Sequence, residues 1–548
     1  MHKMKKFKKA LALLLAVLML SSCLVSPAYA GKIDPNNSAK EKLETYLYRA
    51  LDKIVSVAVS VLNRVIPGLE KNWPEIDSFK PSENFYPGEK SFDPSVKDGA
   101  KWSAGYASDS LLKGLEKSGD VYLMNGKKVY MAGTLEPLKG RQPTEIIDDQ
   151  RVCTYALSDG TRGTVVHAVI DGYGIASGDV LEIRSRLASF AKEKGITSIN
   201  VSVLHQHSCI DILGMGAPLL AALAVNPFLS FIGGEKKDFV GGKTPEFMEN
   251  LYNTVTSTVV EAVDDMETGS LYYGSADISE YIYDKRDPKV IDPDIHRLRF
   301  VPDNKDENEI WICEAGIHAV GAGISGTRIC GDYPYYLRKT VKEKTGADAV
   351  FVQGAELALT ANYGPLEYDD SNPADKTGKM GAALADKLIS ISNDTPLDPV
   401  LNIAVRNVYV KATNEILKLA VREGLVGTVL TKKGSDYYAV TELGYMELGN
   451  KVGVVIVPGE ISPELIWGGV IEKDKTWTGK SWDYEPFSKT AKVEKLICFG
   501  LANDQIGYIL PDNDFRSMFT ENEEINAASS EAGSTLTKAF DSLISEVK

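Results

Sequence analysis

Apolar and polar positions along this chain follow two periods, and the switches between them mark its elements. Short runs rich in β-branched residues predict strands over Thr164 to Asp171, Ser198 to Leu204, Ala349 to Gln353, Val452 to Val457 and Leu496 to Phe499. Stretches with apolar residues three and four apart predict helices over Ala176 to Lys194, Pro245 to Met266, Tyr333 to Thr345 and Gly378 to Ser392. Their alternation from about residue 100 onward predicts an α/β fold, with mixed or parallel β-sheets flanked by helices. A further helical stripe over residues 38 to 66, including Leu47, Leu51, Ile54, Val55 and Val61, ends at Pro67-Gly68. It predicts packing against the main domain, with a membrane-surface role as the alternative. Lys80 to Gly99, rich in Pro, Ser and Gly, reads as a linker. The domain plan is a leader over 1–30, a helical extension and linker over 31–99, and a main domain over 100–548.

The leader changes the picture by predicting export. Five lysines between Lys3 and Lys9, with no acidic residue among them, precede an apolar run from Ala10 to Leu20. That run is long enough for a secretory signal and too short to span a bilayer. Two cleavage readings stay open. Leu20-Ser21-Ser22-Cys23 resembles a lipobox, which ends the leader at 22 and leaves Cys23 to be lipidated as a membrane tether; Ala28-Tyr29-Ala30 fits an ordinary signal-peptidase site. The product is read as secreted or as a membrane-anchored lipoprotein on a bacterial cell surface.

Five cysteines remain, Cys153, Cys209, Cys313, Cys330 and Cys498, odd in number and scattered. They read as buried small hydrophobes, with at most one unspecified disulfide pair, and no CxxC knuckle is present. The chain holds 61 basic and 75 acidic residues, and removing five leader lysines leaves 56 against 75, about −19 for the exported form. This balance excludes nucleic acid as a partner and argues against electrostatic docking to anionic lipid.

Of the six histidines, His2 leaves with the leader. Two of the remaining five sit just beyond a predicted strand. The two-residue period puts Ile199, Val201 and Val203 on one strand face, and predicts that His205 and His207 continue it. Two imidazoles so placed can converge on a metal, or one can bind it while the other handles protons. A pair of satisfied polar residues at a strand end is the plainer alternative.

The segment Val201-Ser-Val-Leu-His-Gln-His-Ser208 resembles the zinc motif of the neutral ceramidases, in which a strand leads into His-x-His-Ser. Four more segments follow in that family's order. Trp311 to Val320, with Gly316-Ile317-His318, resembles its second metal-binding stretch. Cys330-Gly331-Asp332-Tyr333-Pro334 is similar to its Gly-Asp turn, Val457-Pro458-Gly459-Glu460 to its Pro-Gly-Glu motif, and Gly500 to Tyr508 to its Leu-Ala-Asn segment.

The resemblance, over roughly residues 100 to 548, implies a ceramidase-like catalytic domain without the family's C-terminal β-sandwich. It implies Zn2+ as cofactor, held by His205, His318, Glu460 and Tyr508, with His207 beside them. The implied activity is hydrolysis of N-acyl amide bonds, on a small-molecule or lipid acyl-amide substrate such as a ceramide. His207 then serves as general base, and Tyr508 also steadies the oxyanion.

Two departures bear on activity. The family's Gly-Asp-Val-Ser-Pro-Asn segment follows a Phe-x-Gln strand, and here a gap-free match from Phe351-Val352-Gln353 puts Thr360 at the serine and Ala358 at the aspartate. Thr360 is therefore a candidate substrate contact or nucleophile, and a catalytically impaired, metal-containing binding protein of the cell envelope is the alternative function. After Ser208 the family's Gly and Pro give way to Cys209-Ile210-Asp211, and the apolar Ala217 to Ile232 stretch reads as core helix or as a lip for an acyl chain. Asp171 reads as orienting the site or capping a turn, and His167 and His296 as structural. Gly323-Ile-Ser325-Gly-Thr327 lacks the GxSxG spacing, and no Walker or dinucleotide loop is present.

Overall fold

The computed structural model describes residues 47–57, 59–60, 73–134, 140–216, 242–392, 394–422, 424–476, 478–516 and 524–548. The leader with both cleavage motifs, and the Ala217 to Ile232 stretch, lie outside the described residues. Among the described residues no helix is long and apolar enough to cross a membrane.

The larger of two main sheets contains β1 (Trp102–Ser110), β2 (Arg151–Ser158), β3 (Thr164–Ile170), β4 (Ile196–Val203), β5 (Glu267–Asp277), β6 (Asp294–Pro302), β7 (Ile310–Ala315), β8 (Asp348–Gln353) and β9 (Thr395–Leu397). They lie in the order β8-β7-β6-β5-β1-β2-β3-β4, with β9 paired to β5. The edge pairs β7/β8 and β3/β4 are parallel, and the pairs between them are antiparallel. The smaller sheet contains β10 (Leu401–Lys411), β11 (Leu430–Lys433), β12 (Asp436–Leu448), β13 (Val452–Ile456) and β14 (Lys495–Phe499), in the order β10-β12-β13-β14 with β11 on β12. Only β13/β14 is parallel there. β3 and β13 are buried at every position, as near-continuous apolar strands covered on both faces must be.

Strand parity sorts the layers. Thr154 of β2 faces outward to hydrogen-bond Thr258 of α2 (Pro245–Asp264), and on the same sheet face Ala168 of β3 packs with Ile183 of α1 (Ser177–Lys194). Tyr333 of α3 (Asp332–Thr345) meets Phe351 of β8, and Arg297 of β6 donates to Leu388 O of α4 (Pro373–Ser390). Gly381 of α4 allows the close approach of α3, because a Cβ there would stand 2.5 Å from Tyr333 O. The opposite sheet face, carrying Tyr155 and His167, packs on Phe499 of the smaller sheet. The outer side of that sheet is covered by Leu536, Phe540 and Leu543 of α5 (Ala532–Val547). The result is a mixed α/β molecule of four layers: helices, sheet, sheet, helix.

The predicted strands and helices occur within a few residues of their expected ends, with one extension. α4 begins at Pro373 instead of Gly378, because Asn372 accepts from Ala374 N at 3.2 Å and Pro373 suits a first turn. The described part of the N-terminal stripe is helical, and its Tyr48, Leu51, Val55 and Val59 join the core under the smaller sheet. The stretch read as a linker is instead stitched to the smaller sheet and to α5: Glu89 N donates to Ile403 O and Val405 N to Pro87 O on the sheet, and Phe92 N to Val547 O at the end of α5. All five described cysteines are buried and free.

Arg184 locks the two sheets at one corner. It is buried on α1, donates to Ile199 O of β4 at 2.9 Å, and forms a two-pronged pair with Glu442 of β12 at 2.6 and 2.9 Å. Arg184→Met strands a buried carboxylate, so denaturant unfolding is expected to show a loss of about 3–5 kcal/mol. The double variant Arg184→Met, Glu442→Met is expected to recover most of it; equal destabilisation by both variants would contradict the paired role.

Candidate metal centre

The ends of six strands supply the centre. β4 stops at Val203, and the chain turns at once: Leu204 N bonds Ile170 O, Gln206 N bonds Gly172 O, and His205 takes a left-handed φ of 52°. This corrects the expected continuation of a strand face, because a non-glycine residue in that region has left the two-residue period. The turn nevertheless brings the two rings together, with centroids 4.7 Å apart and planes at 88°. His318 lies three residues beyond β7, its N–H bonded to Leu359 O. Glu460 follows β13 in a short strand, Glu460–Ile461, that pairs in parallel with Tyr508–Ile509 beyond β14. That register sets Tyr508 directly beside Glu460.

Each imidazole is oriented through its Nδ1 by a backbone carbonyl. His205 Nδ1 donates to Tyr173 O at 2.8 Å, His207 Nδ1 to Gly133 O at 2.9 Å, and His318 Nδ1 to Leu359 O and Glu356 O at 2.9 and 3.0 Å. Gly133 has a φ of 100°, and a Cβ on it would lie 2.3 Å from His207 O, so only glycine brings its carbonyl this close. Tyr173 stacks on His205 at 4.6 Å and meets His207 edge-on at 4.9 Å.

With every Nδ1 engaged as a donor, the Nε2 atoms present lone pairs inward. His205 Nε2 and His318 Nε2 stand 3.3 and 3.2 Å from the same atom, Glu460 Oε2, while Gln505 donates to Oε1 at 3.3 Å. Two lone pairs and a carboxylate oxygen at such distances repel unless a proton or a metal cation lies among them. His207 Nε2 is buried and has no hydrogen-bond partner. Ligand atoms of His205, His207 and His318 lie within 4.8 Å of one another, and so do those of His205, His318, Glu356 and Glu460. Imidazoles and carboxylates aimed at one point fit a borderline divalent ion such as zinc.

The electrostatics follow the same division. Burial, reinforced by His207 and His318, holds His205 well below the usual histidine range. Burial and the neighbouring His318 push His207 down to about 3, so its ring is neutral. Burial also opposes protonation of His318, but the Glu356 and Glu460 carboxylates outweigh it and lift this group to about 9.

Of the residues singled out from sequence, His205, His207, His318 and Glu460 are gathered here, and Tyr508 is paired with Glu460 through the backbone. Thr360 is close by: its backbone bridges to that of His318, on a short strand, Leu359–Ala361, that also pairs with Tyr283. Ala358, at the aspartate position, has a φ of 65° and accepts Lys285 N. Asp171 is remote from ligand duty, bound by both arms of Arg338 at 2.7 Å, and so fixes the loop that carries Tyr173. His167 bonds Ser202 at 2.8 Å, and His296 bonds Tyr273 and Asp292, both away from the centre.

Three residues escaped the sequence reading. Glu356 was an acidic residue three beyond a predicted strand, and Tyr173 followed Asp171-Gly172 in the same way. Gln353 is buried at the end of β8, and its Nε2 donates to Leu204 O at 3.2 Å and Ile317 O at 2.5 Å, pinning the residues just before His205 and His318.

No family model matches the chain, and no curated protein matches it. Solved structures do resemble it. Neutral ceramidase from Pseudomonas aeruginosa matches at a TM-score of 0.57 and 14% identity, over 82% of this chain and 74% of that one. A ceramidase complexed with C2 matches at a TM-score of 0.57 and 14% identity, over 81% and 75%. The fold is thus ceramidase-like.

Gln353→Leu removes the donor to both carbonyls. Amide hydrogen exchange is expected to quicken at Gln206 and His318, with about 1–3 kcal/mol lost in unfolding; unchanged exchange in both loops would show that Gln353 does not hold them.

Proposed function

We propose that this chain is a zinc-dependent hydrolase of N-acyl amide bonds, with ceramide-like lipids as its substrate class. The observation that carries the reading is the convergence of His205 Nε2, His318 Nε2 and the Glu460 carboxylate on one point, with the unpartnered His207 Nε2 alongside. The ceramidase-like fold supports it. So does a cleft that reaches Tyr173, Glu460 and Gln505 and is otherwise lined mainly by aliphatic side chains such as Leu213, Met215, Val421, Val426 and Ile506. Such a lining suits an acyl chain.

His205, His318 and Glu460 would hold the ion, with Tyr508 beside Glu460 as a further ligand that would also steady the developing oxyanion. Zinc at this point supplies a Lewis acid for the acyl carbonyl and lowers the pKa of the attacking water. His207, neutral and fixed by Gly133 O, takes the water's proton through Nε2 and returns it to the leaving amine. Thr360, at the edge of the centre, contacts substrate. The basic, apolar leader supports export, as a secreted protein or a lipoprotein tethered through Cys23, which places the site where lipid amides are accessible. Ala358 and Thr360 favour a second reading, a metal-containing binding protein with turnover lost.

Release of labelled fatty acid from an N-acyl sphingoid amide separates the two. Zinc-loaded wild type is expected to turn over. His205→Ala is expected to lose both metal and activity, and His207→Ala to keep zinc while kcat falls about 10²–10⁴-fold. A wild type with bound zinc that cuts no acyl amide or ester, with activity appearing in Thr360→Ser, establishes the binding protein instead.

A further inference from the structure

The Glu356 carbonyl orients His318, but its carboxylate has no hydrogen bond to account for its place in the site. It is fully buried, and neither carboxylate oxygen has a hydrogen-bond partner. Its closest cationic neighbour is His318, whose Nδ1 lies 3.7 Å from Oε2, beyond hydrogen-bond range, and whose Nδ1 proton already goes to the Glu356 and Leu359 carbonyls. A carboxylate without partners in such surroundings is disfavoured in its ionised form unless a cation stands beside it. One further relation is on hand: a Glu356 oxygen lies within 4.8 Å of ligand atoms of His205, His318 and Glu460. The residue is held there by the backbone, because its carbonyl binds His318 Nδ1 and also Leu359 N, closing the turn that begins where β8 ends.

We propose that Glu356 is a direct ligand of the same metal ion, so that the centre carries two carboxylates and is richer in oxygen than the ligand set of His205, His318, Glu460 and Tyr508. This inference rests on the metal reading of the site and extends it. Two carboxylates offset the charge of a divalent ion, so the centre is electrically near neutral and favours a neutral ligand, such as an amide carbonyl, over an anion. A fifth protein donor, and an oxygen donor at that, also relaxes the tetrahedral N/S preference of zinc toward ions that accept more oxygen ligands, manganese among them. His207 is left outside the ligand set, with its Nε2 available for proton transfer.

The test is metal binding, measured without reference to activity. Metal-free wild type, Glu356→Gln and Glu356→Asp are titrated with Zn2+ and with Mn2+ against a competing chelator, and Co2+-loaded samples are compared by visible absorption. Loss of even an indirect partner of a metal ligand costs about 10–100-fold in affinity, so Glu356→Gln is expected to bind zinc at least 100-fold more weakly, with a larger loss for manganese. Glu356→Asp is expected to fall between, and the cobalt spectrum of Glu356→Gln to gain the intensity of a lower coordination number. Metal-free Glu356→Gln should melt no lower than metal-free wild type, since no hydrogen bond of the carboxylate is lost, while its gain in Tm on adding zinc shrinks. Equal zinc and manganese affinities in wild type and Glu356→Gln overturn the ligand assignment and leave the metal reading standing. A wild type that binds none of the three ions overturns both.

Discussion

Gly500 N donates to Gln353 O at the end of β8, and one residue later Leu501 O accepts from Val203 N at the end of β4. A single segment thus bonds to both edges of the larger sheet. It also binds the turn after β13, through Leu501 N to Gly459 O, Ala502 N to Val457 O and Ile506 N to Pro458 O. Sheet topology alone would place these ends apart, because five antiparallel steps separate β8 from β4 and leave the two edges running in opposite senses. Curling of the sheet resolves the conflict: β8, at one edge, contacts β2, β3 and β4 at the other. The segment from Gly500 to Ile506 fixes that outcome, and its left-handed Leu501 and Asn503 (φ 51° and 64°) show that the chain accepts local strain to do so.

Once the strand ends meet, the polarity of the centre is set by backbone carbonyls. Tyr173, Gly133, Glu356 and Leu359 each give an oxygen to an imidazole Nδ1. Fixing Nδ1–H in this way leaves Nε2 no choice but to face inward as a lone pair. Glu460 then adds a negative charge where three acceptors already point. The centre therefore has an excess of electron density that only a cation relieves, and the lifted basicity of His318 is the proton's answer to the same demand.

Much of this frame could be read along the chain. β3, β4, β8, β13 and β14 are legible as short runs rich in apolar residues because nearly all their positions are buried, and α1 to α3 have apolar stripes because each meets a sheet on one side. The His205/His207 pair was reached by a parity argument that the turn at His205 breaks: the rings meet because Ile170, Gly172 and Ala319 carbonyls bend the chain, and long-range bonds of that kind leave no periodic trace. Glu356 and Tyr173 were hidden for the same reason. Each is one ordinary residue a few positions past a strand, and its importance depends on what arrives from strands far away in sequence. Asn372 shows the reverse case, a local cap ahead of a proline that the helical period overlooked.

The departure at Thr360 has to be judged against what its backbone does. His318 N bonds Leu359 O, and Thr360 bridges to His318 while its own strand pairs with Tyr283. The support for His318 is thus main-chain support, indifferent to whether the hydroxyl at 360 belongs to threonine or serine. Ala358 likewise gives its carbonyl to Lys285 N, and no side chain is needed for that bond. The negative charge of this loop comes from Glu356, whose carboxylate lies near the histidine nitrogens and the Glu460 carboxylate that could hold an ion, and the turn at 358 carries none.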